Sequence, residues 1–133
     1  MDDKKGMTFP LRYIGIVHFN KGDYKKAEEY LRKSLAIQRE IGFKQIEKYT
    51  ITYLYLTFKY LGKEYDVEEI RSLSTKHSEF NYRLFQLLED KSYLETAYNQ
   101  VQDLADNLEP DVAAKFLSYP IPKAIVEEWE KVK

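Results

Sequence analysis

RYIGIVHFNKGDYKKAEEYLRKSLAI, residues 12–37, is the stretch whose reading decides the fold. Two segments of helical length meet at the turn Lys21-Gly22-Asp23. Gly22 can take the left-handed backbone that follows a helix end, and Asp23 can cap the helix that begins next. Beyond the turn, Ala27, Leu31, Leu35 and then Gln38/Ile41 recur at three and four residues, which is one stripe of a helix reaching about Ile41 before Gly42. Upstream, Thr8 is read as a cap with Pro10 in the opening turn, where a missing N–H costs little. That first helix should run to about Lys21.

The same punctuation continues along the chain. Residues 43–61 form a third segment ending at Gly62. Its middle, Tyr49 to Phe58, is rich in β-branched, aromatic and threonine residues and taken alone reads as a strand. Its position between two glycines at helical distance, apolar on every side, predicts a buried helix instead. Asp66 with Glu69 resembles a capping box for a fourth helix to about Lys76, and Ser78 is read as the cap of a fifth, ending near Glu89. The sixth carries the stripe Leu94, Ala97, Tyr98, Val101, Leu104, Ala105 and Leu108. Pro110 opens a short seventh. Pro120 and Pro122 break the chain before a last helix with Ile125, Val126, Trp129 and Val132. The expectation is an all-α antiparallel stack of about eight helices without a sheet.

Composition narrows the functional classes. The 133 residues suit one domain, read as 1–133. The 21 basic and 22 acidic residues nearly cancel, so nothing favours nucleic acid or an anionic membrane as partner. No run approaches the roughly 18 apolar residues of a membrane helix. The absence of cysteine removes thiolate chemistry and cysteine-based zinc sites, and it fits a cytoplasmic protein.

Gly22 and Gly62 lie 40 positions apart, each after a helix and before a charged turn, so the chain carries an internal period. Ile14-Gly15, Gly22-Asp23-Tyr24, Ala27, Leu31, Ser34 and Leu35 together resemble the tetratricopeptide repeat. The spacing, with REIG closing the second helix, is similar to the long-repeat variety. In that family small residues such as Gly15 and Ala27 let two helix axes approach where they cross. Tyr24, Leu31 and Leu35 fill the space toward the next hairpin. The best repeat is 7–42. Degenerate units follow at 43–77 and 78–108, with capping helices at 109–133 and Trp129 over the end of the core. The fading quality suggests the C-terminal end of a longer array.

The resemblance implies a concave groove lined by the first helix of each hairpin. Its positions here are Phe9, Arg12, Tyr13, Ile16, Phe19 and Asn20, then Tyr49, Thr52, Tyr53, Leu56, Lys59 and Tyr60. Such a set suits a protein or peptide partner with an apolar or aromatic segment, Arg12 and Lys59 pairing an acidic group. Alternatively, these aromatics pack against other helices. Ile16 stands where the chaperone-binding class has the asparagine of its carboxylate clamp, so that ligand is not implied. The sequence has no phosphate loop, zinc spacing or serine nucleophile motif, so no cofactor, metal or catalytic residue is assigned. His18 on the inner stripe is expected to be a packed histidine, and paired acids such as Glu28–Glu29 should point apart. The reading is an interaction module. The alternatives are a peptide-sensing segment of a larger bacterial regulator and, more remotely, an enzyme. Self-association, as a homodimer, is also expected.

Overall fold

Three tight turns with one geometry organise the first half of the chain. In the computed structural model, which describes residues 4–66, 68, 70 and 77–133 (side chains from residue 10 on, without that of 45), the Gly22 φ is 81°. The Gly22 N–H donates to the Phe19 carbonyl at 3.0 Å and the Asp23 N–H to the His18 carbonyl at 2.9 Å. These are the two bonds of a Schellman cap. Gly42 and Gly62 repeat both bonds on their own helices. A Cβ at Gly22 would meet nothing within 4 Å, so conformation rather than space requires glycine there.

Among the described residues there are seven helices and no strand: α1 (Lys4–Asn20), α2 (Tyr24–Ile41), α3 (Lys44–Leu61), α4 (Ser78–Leu88), α5 (Lys91–Asp106), α6 (Pro110–Ser118) and α7 (Pro120–Val132). The fold is all-α. The count is seven where about eight were expected, because most of the fourth expected helix, 66–76, lies outside the described residues. None of the described helices is long and apolar enough to cross a membrane.

Several helix starts differ from expectation. α1 begins at Lys4, so Thr8 and Pro10 lie inside it. Its interior tolerates a proline despite the lost hydrogen bond, a cost of about 3 kcal/mol in an isolated helix. Ser78 is the first residue of α4 rather than its cap. The chain breaks at Tyr119 before the last helix, as read, but Pro120 and Pro122 lie in the first turn of α7 rather than ahead of it, because N–H groups in a first turn have no helical partner to lose. Asp23 caps α2 as read, accepting from the Lys26 N–H. Asp90 caps α5 in the same way through Ser92.

Backbone contacts divide the chain into two compact units, 1–73 and 74–133. In the first, α2 packs against both α1 and α3. Its core holds Phe19, Ala27, Leu31, Leu35, Tyr53, Leu54, Leu56 and Phe58. At the α1–α2 crossing, a Cβ placed on Gly15 would lie 2.7 Å from Leu31 Cγ and 3.3 Å from the Leu31 backbone nitrogen. Only a bare Cα fits at that separation.

α3 is the segment that reads as a strand, and it is helical throughout. Its hydroxyls explain how. Thr52 and Thr57 donate to the carbonyls of Lys48 and Tyr53, each at 2.8 Å. Buried threonine thus satisfies itself on its own helix. Thr50, Ile51, Thr52, Tyr53, Leu54, Leu56, Thr57 and Phe58 are all buried, so packing on several sides outweighs the modest helix propensity of this segment.

In the second unit α5 is the hub, touching α4, α6 and α7. Leu94, Ala97 and Val101 of α5 meet Tyr82 and Ile125, with Phe85, Phe116 and Ile121 packed around them. Trp129 stacks on Tyr98 with ring centroids 5.6 Å apart. Asn81 joins α4 to α5 through Gln100 at 2.9 Å.

Gly15→Ala tests the crossing. Helix propensity alone would raise stability by roughly 0.5–1 kcal/mol. The buried Leu31 cannot swing aside, so we expect a net loss of about 1–3 kcal/mol in urea unfolding. A stabilised variant would show that the helices do not meet at this point.

Candidate functional site

The twelve expected groove residues separate by depth. Phe19, Thr52, Tyr53 and Leu56 are buried, Tyr53 and Leu56 at 0% exposure. All four lie too deep to line a groove, and Phe19 meets Tyr53 edge-on at 5.5 Å between α1 and α3. Arg12, Ile16, Tyr49 and Lys59 are half-buried, and Tyr13, Asn20 and Tyr60 are exposed. The side chain of Phe9 lies outside the described residues.

The accessible part of the set is built on an aromatic cluster. Tyr60 stacks on Tyr24 at 4.9 Å, and Phe19 lies behind both, 5.7 Å from Tyr24 and 5.9 Å from Tyr60. The guanidinium of Arg12 lies 5.6 Å from the Tyr13 ring and the Lys48 ammonium 5.3 Å from the Tyr49 ring. Rigid aromatic faces beside cations are suited to planar or acidic groups of a partner.

His18, expected to be a packed histidine, is half-buried, its side chain 24% exposed. It lies flat on Tyr30, centroids 5.7 Å apart and planes 8° apart, with Nδ1 3.8 Å from Asp23 Oδ2. This pairs the last turn of α1 with the cap of α2. Among the described residues no three His, Cys, Asp or Glu side chains converge to hold a metal.

Glu28 and Glu29 point apart, as adjacent helical residues must. Glu29 reaches Lys33 at the surface. Glu28, only 15% exposed, accepts from Lys63 Nζ at 2.6 Å and Arg32 Nε at 2.7 Å. Both cations lie over Phe58, at 6.0 and 5.0 Å. Burial by itself pushes the Glu28 carboxyl up. The hydrogen bonds from Lys63 and Arg32, followed by their charge, overcome that and hold it below the ordinary value. Beside this network is a groove of about 250 Å³ with Arg32 and Arg39 of α2 on one wall and Leu54, Tyr55 and Phe58 of α3 on the other.

A second surface escaped the sequence reading. Leu104 and Leu108 were assigned to the buried stripe of α5, yet they are 53% and 38% exposed. Leu108, together with Val112 and Tyr119, borders a groove of about 340 Å³ on α6. The signal available in the sequence was the row of acids before and between these apolar residues: Asp103, Asp106, Glu109 and Asp111.

No protein-family model, curated protein or solved structure matches the chain.

The Glu28 network should be measurable. A carboxyl held below its unfolded value adds stability above that value, and the contribution is lost as pH falls through the carboxylate range. Glu28→Gln is expected to lower stability by roughly 1 kcal/mol near neutral pH. The gap between variant and parent should close below about pH 4 in urea titrations. A gap that stayed constant with pH would dismiss the charge contribution.

Proposed function

We propose that this chain is a protein-interaction module of the tetratricopeptide type, whose first unit binds a peptide segment of a partner. The aromatic–cationic surface of α1 and α3 is the observation that carries the reading. Arg12, Tyr13, Ile16 and Asn20 present from α1, and Tyr49, Lys59 and Tyr60 from α3. The Gly15–Leu31 crossing and the three Schellman caps support the repeat-like hairpins on which the proposal rests. The ligand is a short segment with an aromatic or aliphatic anchor and a neighbouring carboxylate. Tyr60, backed by Tyr24 and Phe19, would receive the anchor, and Arg12 or Lys59 would pair with the acid. A cytoplasmic location goes with this reading.

Tyr53 belongs to the scaffold, since it has no exposed surface. Tyr53→Ala would report stability, with an expected loss of about 3–5 kcal/mol. Binding is tested instead at Tyr60 and Arg12. Once a partner is captured and its peptide mapped by array, Tyr60→Ala and Arg12→Glu are each expected to weaken it about tenfold or more. Circular dichroism should remain unchanged. Undiminished binding by both folded variants would refute the assignment of this surface.

A further inference from the structure

The groove between α2 and α3, about 250 Å³, lies on the side of α3 away from Tyr49 and Tyr60. Helical periodicity separates the two faces: Leu54, Tyr55 and Phe58 centre on one side of α3, Tyr49 and Tyr60 on the other. The lining carries Arg32 and Arg39 and no acidic residue. Its floor is apolar, since Leu35, Leu54 and Phe58 are all buried. Tyr55 forms part of one wall, stacked on Phe58 at 5.8 Å and on Tyr65 at 5.5 Å.

The α2 wall has a notch. Arg32 and Arg39 are both exposed and lie seven residues apart, two helical turns or about 10 Å along the axis. Ala36, four residues after one and three before the other, is exposed between them. The ridge that joins the two arginines therefore drops to a single methyl group. Arg32 is held in place, its Nε donating to Glu28 at 2.7 Å and its guanidinium 5.0 Å from the Phe58 ring. That bond uses the inner nitrogen and does not commit the outer pair, which can grip a carboxylate side by side. Glu28 also accepts from Lys63 at 2.6 Å, so one carboxylate stands against two cations in this network. Arg39 brings further positive charge to the far end of the groove.

We infer that this groove receives an acidic segment of a protein partner, with an apolar side chain entering above Ala36 and carboxylates on either side pairing with Arg32 and Arg39. Pockets that enclose a free small molecule measure roughly 300–1,000 Å³. This groove is smaller, with the dimensions of one side chain of a longer ligand. Its charge selects acidic over basic segments, and its apolar floor selects the residue between the acids. Stacked rings and a bonded guanidinium are already ordered, which lowers the entropy that docking must overcome. The site shares no residue with the surface of α1 and α3 proposed above.

Fluorescence anisotropy of a dye-labelled peptide, a leucine with two glutamates on each side, tests it on the full chain. Saturable binding is expected, and added salt should weaken it. Ala36→Leu fills the notch with a residue of similar helix propensity, and Arg39→Glu reverses one of the two charges. Each should weaken the peptide about tenfold or more. Arg39→Gln replaces the second variant should an acid at the helix end cost helicity, and it should weaken binding in the same direction. A peptide with glycine for leucine should also bind about tenfold more weakly, which separates a docked side chain from charge attraction alone. A leucine peptide that does not bind overturns the inference. So does one that binds the folded Ala36→Leu and Arg39 variants as tightly as the parent, as a peptide held at the Tyr60 surface would. Equal binding of the glycine peptide overturns it as well.

Discussion

The contact of Gly15 with Leu31 is the constraint on which the first unit depends. Two helices that approach to within a bare Cα bury their facing side chains completely, and Ala27 and Leu31 lose all exposure in consequence. That proximity sets where α2 lies. With α2 placed, α3 packs against it and touches α1 as well, bringing Phe19 against Tyr53. A larger residue at position 15 would therefore disturb helices that it never touches. Interior packing transmits such strain because it has little free volume in which to absorb it.

Legibility was uneven and followed the physics of each element. Turn chemistry was easy to read, because a positive φ and an aspartate cap demand few residue types. Helix class for α3 was harder. Its residues favour a strand locally, and the decision came from glycine spacing and all-round apolarity. What could not be read was how threonine would be accommodated, since a hydroxyl bonded to a carbonyl four residues back leaves no mark in the composition. Helix starts near prolines were misplaced for a related reason. A proline states where an N–H is missing, and tertiary packing decides whether the helix continues across it.

The candidate surface was half legible. Spacing alone cannot separate a residue that lines a groove from one that closes the contact behind it. Phe19 and Tyr60 both satisfy an aromatic pattern, yet one is buried and the other open. In the second unit the opposite error arose. Leu104 continues the stripe of Leu94, Ala97 and Val101 by spacing, but Ala105 takes the buried position at 8% exposure and leaves Leu104 beside it 53% exposed. The acids interleaved there carried the information that periodicity lacked.

Electrostatics has different roles in the two halves. Glu28 is held between two cations that also cover an aromatic ring, a local and nearly closed arrangement. The acids at the end of α5 are all exposed, and no basic side chain lies on the same turn.

The stacking of Trp129 on Tyr98 has a spectroscopic consequence. The chain contains one tryptophan and twelve tyrosines, and that indole lies wholly within the second unit. Emission excited at the red edge of the absorption band therefore reports one half of the molecule, while ellipticity reports both. Superimposable melting curves from the two signals would mean that the halves lose structure as one cooperative body. Divergent curves would give each half its own transition and make the chain a pair of thermodynamic neighbours.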